Sequence, residues 1–296
     1  MAVSEFESFL NYLRFEKRAS GHTVSAYAGD LNDFYGYLAV TYEITTIQEV
    51  VHAHIRSWMV FLLSSGLVAR SINRKVSTLK AYYKFMQRQG LIQHDPTVRI
   101  VRPKVPKRLP MVVDGPSMDR LLDDIPFPEG FAGLRDKTIL ELFYGCGIRA
   151  SELQGLKLGD LDLQQQQIKV LGKRNKERII PFHTLLRDQL RLYLQGRAAA
   201  FSEAPEWLFL TEKGEKMYPA LIYKTVHHYL SQVSTLSQRS PHVLRHTFAT
   251  HMLDQGADLN AVKELLGHTS LAATQVYTHN SVEKLKEVYR KSHPKA

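Results

Sequence analysis

The chain has 296 residues, 44% of them hydrophobic, and a formal net charge of +10 from 39 Lys and Arg against 29 Asp and Glu. This length favours two domains over one, and the positive charge favours a polyanionic partner. The single cysteine, Cys146, excludes an internal disulfide and makes a reducing cytoplasm the expected compartment, while the apolar run 58–63 is far too short to span a membrane.

The first part of the chain reads as four helices with short loops, which predicts a small bundle forming a domain over residues 1–94. The predicted helices cover residues 3–17, a segment that opens at Ser20 or Thr23, residues 50–64 closed by Gly66, and residues 69–89 stopped by Gly90. Residues 1–107 hold 14 Lys and Arg against 8 Asp and Glu, so this part is the more basic per residue. A core DNA-binding domain is one interpretation of this charge.

The fourth predicted helix carries a polar and basic face. Its members are Arg70, Ser71, Asn73, Arg74, Lys75, Thr78 and Lys80. Such a face can lie against phosphates or enter a major groove, and it can equally be an ordinary solvent-exposed surface. The helix alone does not decide between these two interpretations.

Residues 95–110 contain four prolines and five basic residues. Proline removes a backbone donor and restricts the preceding residue, so this segment cannot form a regular element. It is predicted to be an extended linker between domains. Its basic side chains, Arg102, Lys104 and Lys107 among them, could follow a phosphate backbone.

Residues 111–296 are predicted to form a second domain, mostly helical, with a small antiparallel hairpin. The predicted helices cover residues 117–124, 134–144, 150–156, 183–195, 218–231, 240–256, 259–266 and 282–291, with a further turn from Thr269 or Ser270 to Tyr277. Alternating apolar residues between Asp160 and Phe182 flank a polar turn at 172–176, which predicts a hairpin with Lys173 at or beside its tip. A short strand is predicted around 207–210. The fold class is therefore mainly α.

The segment 240–256 begins and ends with residues that are typical of helix starts and helix ends. Ser240 suits the N-cap, Pro241 suits the first turn, and Gly256 suits the left-handed position past the end. His242 and Arg245 are three residues apart, so they share one side of the first turn, where free amides and the helix dipole favour an anion. An anion pocket with a titratable group is predicted here.

Other candidate groups are weaker when taken singly. Arg149 follows a Gly-x-Gly break and could hold a phosphate with Glu152 orienting it, although a surface ion pair is the more common outcome. His268 follows Gly267, and Tyr277 lies nine residues further on; each alone is more often structural.

Several other kinds of site are disfavoured. The histidines His242, His246 and His251 invite a zinc interpretation, but no His-Glu-x-x-His motif is present. Neither a Gly-x-Ser-x-Gly elbow nor a P-loop occurs, which disfavours a serine hydrolase and an ATP-dependent enzyme. No metal and no nucleotide cofactor are expected.

Taken together, the candidates resemble the tyrosine site-specific recombinases. The matching words are Gly147-Ile-Arg-Ala-Ser-Glu-Leu153, His242-Val-Leu-Arg-His-Thr-Phe-Ala-Thr-His251, Leu265-Leu-Gly-His268 and Tyr277-Thr-His279. The resemblance covers essentially the whole chain, including the basic helical domain and the linker, and is closest to the Xer recombinases that resolve chromosome dimers. Small departures are Ala272-Ala273, where hydroxyl residues are commoner, and Arg174, where glycine is frequent.

The resemblance implies a role for each matching residue. Tyr277 is the implied nucleophile and forms a 3′-phosphotyrosyl bond; Arg149 and Arg245 hold the non-bridging oxygens; His242 is the implied general base and Lys173 the general acid; His268 donates a further hydrogen bond, and Glu152 supports the site. The implied partner is a double-stranded DNA recombination site. Assembly is implied as a tetramer, with itself or a second Xer-type recombinase, through the C-terminal helix bearing Leu285, Val288 and Tyr289; packing of that helix on its own domain is the alternative.

Other interpretations stay open at this point. An integrase of a phage or mobile element would use the same chemistry on other sites, and a type IB topoisomerase would share similar residues. A DNA-bending architectural protein is the non-enzymatic alternative. Activation by a septal DNA translocase would accompany chromosome-dimer resolution.

Overall fold

The computed structural model describes residues 2–106, 111–172, 176–203, 205–267 and 279–296, without the side chains of residues 2–5 and 279–282. The chain divides into two units, Met1–Arg108 and Leu109–Ala296, each with its own hydrophobic core. Helices dominate both units, and the described part of the chain contains one three-stranded antiparallel sheet. The predicted mainly α class is confirmed.

The N-terminal unit contains the four predicted helices. They are α1 (Ala2–Asn11, continued by a π-helical turn Tyr12–Glu16), α2 (Gly21–Tyr42), α3 (His52–Ser64) and α4 (Ala69–Arg88). The Ser20 hydroxyl accepts a hydrogen bond from the Thr23 amide at 3.2 Å, which caps α2. Gly66 and Gly90, the predicted helix stops, have φ of 83° and 70°, a left-handed conformation that favours glycine.

Aromatic side chains fill the core of this unit. Phe9, Phe34, Trp58, Tyr82 and Tyr83 are almost completely buried, and the rings of Phe34 and Trp58 lie 4.9 Å apart. Burying each large apolar side chain contributes about 1.5–3 kcal/mol. The core draws on all four helices, so the bundle is one cooperative element.

The predicted polar face of α4 is partly buried. Lys75 and Thr78, expected on an exposed surface, are 8% and 0% exposed, so that expectation is wrong for both. Their side chains reach Asp30 on α2, at 3.0 Å from the Lys75 ammonium and 2.8 Å from the Thr78 hydroxyl. Arg74 also donates to Asp30, and Asp33 accepts from Lys75. This set of five residues is called the Asp30 cluster.

Residues 95–106 form no helix or strand, as predicted from their prolines. Thr97 and Ile100 are nevertheless buried against the N-terminal core. The Asn73 amide donates to the Pro103 carbonyl at 2.9 Å. The first part of the predicted linker is therefore tied to α4, and Lys107 lies outside the described residues.

The second unit contains eight helices and three strands among its described residues. They are α5 (Gly115–Asp119, continued by a π-helical turn Arg120–Asp124), α6 (Phe131–Cys146), α7 (Ala150–Gly155), a 3-10 turn Leu158–Asp160, β1 (Leu161–Asp162), β2 (Gln167–Leu171), β3 (Glu177–Pro181), α8 (Thr184–Ala200), α9 (Pro219–Val233), α10 (Pro241–Asp254), α11 (Leu259–Leu265) and α12 (His279–Ser292). The sheet order is β1-β2-β3, with Ile168 opposite both Leu161 and Ile180. The predicted hairpin is present.

The helix predicted over 240–256 forms α10. Ser240 occupies the N-cap position, but its side chain makes no capping hydrogen bond, so that detail is wrong. Pro241 begins the helix and Gly256 has φ of 86°, both as predicted. Leu244, Phe248 and Met252 are buried, and this face holds α10 against the core that α6 occupies.

Two further expectations differ from the structure. Residues 207–210 form only isolated bridges, Lys157 with Trp207 and Leu210 with Lys216, because no continuous partner strand lies beside them. The last helix begins at His279 rather than residue 282, and its Leu285 and Tyr289 are buried in the core of their own unit. The predicted turn from Thr269 or Ser270 to Tyr277 lies outside the described residues. Across the described ranges no helix is both long and apolar enough to cross a membrane.

Candidate active site

The break after α6 places the first arginine. Gly147 has φ of 57°, and a methyl group on its α-carbon would lie 2.4 Å from Cδ1 of Phe248 on α10. Both the left-handed backbone and the close approach require glycine here. The chain turns sharply at this point, and Arg149 becomes the residue that precedes α7.

Glu152 binds Arg149 in two ways. Its carboxylate accepts from the Arg149 backbone amide at 2.8 Å and from the Arg149 guanidinium at 2.7 Å. The side chain of Glu152 is 3% exposed, whereas that of Arg149 is 26% exposed. The predicted pairing of these residues is therefore present, with the carboxylate buried and the guanidinium partly open to solvent.

Glu152 also receives a second arginine, Arg178 of β3. Two guanidinium nitrogens of Arg178 donate to its two oxygens at 2.7 and 2.9 Å. Burial by itself would raise the pKa of Glu152, but the hydrogen bonds and charge of Arg178, with those of Arg149, outweigh it and hold the pKa below its ordinary value. The carboxylate is thus ionised and shared by two guanidinium groups.

Arg245 of α10 is buried and 7% exposed. Its guanidinium donates to the Gly147 carbonyl and, at 2.6 Å, to the Leu266 carbonyl. Burial, followed by the nearby charge of Arg149, lowers the pKa of Arg245 to about 9, so the group still carries its charge near neutral pH.

Three successive carbonyls at the end of α11 each accept from a different arginine. Leu265 accepts from Arg178 at 2.8 Å, Leu266 from Arg245 at 2.6 Å and Gly267 from Arg149 at 3.5 Å. A helix C-terminus leaves its last carbonyls without intrahelical partners and carries partial negative charge. The turn 265–267 therefore gathers three guanidinium groups that would otherwise repel one another.

His242 lies on the first turn of α10, three residues before Arg245, and it is exposed. Lys173, His268 and Tyr277 lie outside the described residues. The residues before two of them are described: Gly172 donates its amide to the Lys176 carbonyl at 2.8 Å, and Gly267 ends α11 with φ of 64°.

The charge of this cluster is unbalanced. Arg149 and Arg178 bind the one carboxylate of Glu152, whereas the nearby Arg245 donates to the backbone carbonyls of Gly147 and Leu266. With this excess positive charge and the partly exposed guanidinium of Arg149, the site has the chemistry to bind an anion such as a phosphate diester. The arrangement suits stabilisation of charge on non-bridging oxygens.

Arg178 was missed in the sequence. Its signal is the two-residue period of a strand, because Arg178 shares a face with the buried Ile180. A charged residue on the buried face of a strand needs a partner, which here is Glu152.

The remaining histidines of α10 face different surroundings. The His251 ring lies 2.9 Å from the Tyr144 hydroxyl, and His246 is half-buried. Within the described ranges no group of three His, Cys, Asp or Glu side chains is arranged to hold a metal ion.

The basic residues predicted to contact DNA lie in the N-terminal unit. Arg70, Arg74, Arg102 and Lys104 are exposed, Lys80 and Asn73 are half-buried, and Lys75 is buried in the Asp30 cluster. Asn73 is engaged with Pro103, and Arg102 donates to the Ser77 hydroxyl at 3.1 Å.

Comparison with known sequences matches both units to domain families. The phage integrase family matches residues 115–284, and the phage integrase N-terminal SAM-like domain matches residues 6–90. The tyrosine recombinase XerC of Oceanobacillus iheyensis is 39% identical, with 98% of this chain and 96% of that protein covered. XerC of Staphylococcus carnosus is 38% identical, with 98% and 97% covered.

Solved structures show the same fold. XerH recombinase bound to its difH substrate aligns with a TM-score of 0.69 at 22% identity, over 96% of this chain and 83% of that one. The Tn1549 transposon integrase in complex with transposon right end DNA aligns with a TM-score of 0.71 at 18% identity, over 96% and 98%.

Proposed function

The chain belongs to the phage integrase family and is a site-specific tyrosine recombinase, an enzyme that breaks and rejoins DNA, and we propose that Arg149 and Arg245 hold the phosphate at which it acts. The observation that carries this proposal is the convergence of both guanidinium groups on the turn 265–267. Each guanidinium has five N–H donors, and the contacts of the described residues use two in each. The remaining donors suit the non-bridging oxygens of a phosphodiester.

The proposed reaction needs no external energy source. The Tyr277 hydroxyl attacks phosphorus and gives its proton to His242, while the bond from phosphorus to the 5′ oxygen breaks and Lys173 supplies a proton to that oxygen. The product is a 3′-phosphotyrosyl bond and a free 5′-hydroxyl. Attack by the 5′-hydroxyl of a partner strand reverses these steps and passes through a Holliday junction.

Supporting groups complete the proposed site. His268 donates a hydrogen bond to the phosphoryl group, and Glu152 keeps the Arg149 guanidinium in place through the 2.7 Å contact. Because the arginines stabilise the negative charge of the transition state, no metal ion is assigned to the reaction. Cleavage in excess chelator is therefore expected to proceed at its full rate; loss of cleavage there would contradict this assignment.

A nicked suicide duplex tests the nucleophile. It traps the covalent intermediate because the short downstream fragment, which carries the free 5′-hydroxyl, diffuses away after cleavage. We expect wild-type protein to form a covalent adduct, and Tyr277→Phe to bind the same duplex without forming one. An adduct formed by Tyr277→Phe would show that another residue attacks.

The named relatives support a proposal for the cellular role. Because the XerC proteins cover nearly the whole chain, we propose that this recombinase resolves chromosome dimers in the cytoplasm. Its substrate would be a recombination site in the terminus region, and its assembly a tetramer with itself or a second Xer-type recombinase. Activation by a septal DNA translocase is part of the same proposal.

The suicide duplex should therefore carry the terminus-region site of the host chromosome. Adduct formation on that duplex supports the proposed role. Inertness there, together with cleavage of a mobile-element end, would indicate an integrase of a mobile element instead.

The N-terminal unit supplies the proposed phosphate contacts outside the active site. We assign them to the exposed Arg70, Arg74, Arg102 and Lys104, with Asn73, Lys80 and Lys107 as further candidates. Lys75 is left out because it is buried and Asp30 and Asp33 occupy its ammonium group, whereas Arg74, although also paired with Asp30, has a side chain that is 50% exposed. Such contacts set affinity and salt dependence rather than sequence preference.

A further inference from the structure

Of the three arginines Arg149, Arg178 and Arg245, Arg178 makes the most hydrogen bonds within the protein. Its side chain is 5% exposed, two of its nitrogens bind the Glu152 carboxylate, and its Nε donates to the Leu265 carbonyl at 2.8 Å. It therefore joins β3 to α7 and to the end of α11. Nothing in these contacts leaves the guanidinium open to a substrate phosphate.

The Glu152–Arg178 pair packs against two glycines. A methyl group built on the α-carbon of Gly172 would lie 3.7 Å from Nη1 of Arg178 and 3.8 Å from Oε1 of Glu152. A methyl group on Gly267 would lie 3.1 Å from both Cδ and Nη1 of Arg178. The pair thus lies directly beside two backbone positions that are 95 residues apart in sequence.

These two glycines immediately precede two proposed catalytic groups. Lys173 follows Gly172, and His268 follows Gly267. A side chain that holds both glycines in place therefore sets the backbone position from which each of those two residues begins. Since Glu152 also holds Arg149, the same pair reaches the phosphate-binding guanidinium.

We propose that Arg178 is a positioning residue, which through Glu152, Gly172 and Gly267 aligns Arg149, Lys173 and His268 for one reaction. This inference rests on the proposed function. Arg178 touches no reacting atom; its planar fork binds both oxygens of Glu152 while Nε binds a carbonyl on another element. Lysine carries the same charge but cannot make this three-point contact.

The test compares Arg178→Lys with Arg197→Lys in the full-length chain. Arg197 is a matched control because it is 7% exposed, lies in the same unit and donates to two backbone carbonyls, those of Pro205 and Trp207. Single-turnover cleavage of the nicked terminus-site duplex is measured at saturating protein, with DNA affinity measured separately.

We expect Arg178→Lys to cleave about 100-fold more slowly with DNA affinity unchanged, because small displacements of catalytic groups carry penalties of this size. Arg197→Lys should cleave at close to the wild-type rate. Equal slowing by both variants, or no slowing by Arg178→Lys, would overturn the inference.

A double-mutant cycle with Glu152→Gln separates positioning from a general structural effect. If Arg178 acts through Glu152, the double variant cleaves about as slowly as the slower single variant. Multiplicative losses would overturn the inference. Absence of an adduct from wild-type protein on this duplex and on mobile-element ends would instead overturn the proposed function, and the inference with it.

Discussion

Each unit of this protein buries one carboxylate on which basic side chains converge. In the N-terminal unit Asp30 binds Arg74 and Lys75, and in the second unit Glu152 binds Arg149 and Arg178. The exposed fractions of the two carboxylates are nearly the same, 2% and 3%. The two clusters differ in what surrounds the carboxylate.

The Asp30 cluster is balanced, because Asp33 supplies a second carboxylate for its two cations. The Glu152 cluster has one carboxylate for three arginines when Arg245 is included, and main-chain carbonyls satisfy part of the excess donors. A balanced cluster joins helices. A cluster with excess positive charge has the charge that the proposed phosphate site requires.

The largest expected effect on stability is that of Asp30→Asn. Removing one partner of a buried ion pair leaves unpaired charge and should lower the free energy of unfolding of the N-terminal unit by about 3–5 kcal/mol. Denaturant unfolding read through Trp58 in a Trp207→Phe chain measures it. The control Asp33→Asn should cost less than about 1 kcal/mol, because Asp33 is 59% exposed.

In the unbalanced cluster the expected loss is of activity rather than stability. Arg149→Gln should reduce adduct formation by about 100- to 1,000-fold, because it removes donors to the developing charge. The Glu152 carboxylate keeps Arg178, so stability should change by less than about 1 kcal/mol. Arg187→Gln is the control, since Arg187 is also ion-paired and 27% exposed. Comparable loss in both variants would contradict a phosphate-binding role.

Acid should destabilise the second unit through buried histidines. Burial lowers the pKa of His183 to about 4 and of His293 to about 3, from an ordinary value of 6.5. Between pH 6.5 and those values the unfolded chain binds protons that the native state does not, so this contribution to stability is lost as pH falls.

Burial also raises the pKa of Glu141 to about 7, which stabilises the native state as pH falls and so opposes the effect of the histidines. The test therefore compares the free energy of unfolding of a histidine variant with that of wild type. As pH falls from about 6.5 to 4.5, the free energy of unfolding should fall less steeply for His293→Phe than for wild type. The expected difference is about 1.4 kcal/mol per pH unit. Unfolding read through Trp207 in a Trp58→Phe chain checks this. Parallel stability curves for the two proteins would show that His293 titrates normally in the fold.

The smallest expected effect is on salt dependence. Lys104→Ala should reduce the slope of log affinity against log salt concentration by about 0.9, the value for one phosphate contact. Lys75→Met should lower stability and leave that slope unchanged, because Lys75 belongs to the balanced cluster. A reduced slope for Lys75→Met with an unchanged slope for Lys104→Ala would show that Lys75, and not Lys104, contacts a phosphate.

Local signals made much of the fold predictable. Gly66, Gly90 and Gly256 end helices because each adopts a left-handed backbone, which glycine allows at little steric cost. The Arg149–Glu152 pair was predictable since the two residues are three apart across a helix start. Alternation of apolar residues identified the hairpin between β2 and β3.

Contacts distant in sequence were not predictable. Lys75 and Thr78 were expected at the surface because their partner, Asp30, lies on another helix more than 40 residues away. Arg178 was overlooked for the same reason, since Glu152 and Leu265 belong to other elements. The turn 265–267 has no sequence feature that marks it as an acceptor of three arginines.

Side chains at and just after the C-terminal end of α12 complete the hydrogen bonding at the C-terminal end of α6. The Phe143 carbonyl accepts from the Gly147 amide, but the carbonyls of Tyr144 and Gly145 accept from His293 and from the Tyr289 hydroxyl. α6 leads directly into the break that sets Arg149. The partners of those two carbonyls lie 149 and 144 positions later in the sequence, so this helix end depends on residues far along the chain. A chain truncated before Tyr289 lacks both of these groups, so we expect the end of α6, and with it the start of the break that sets Arg149, to lose two of its hydrogen bonds.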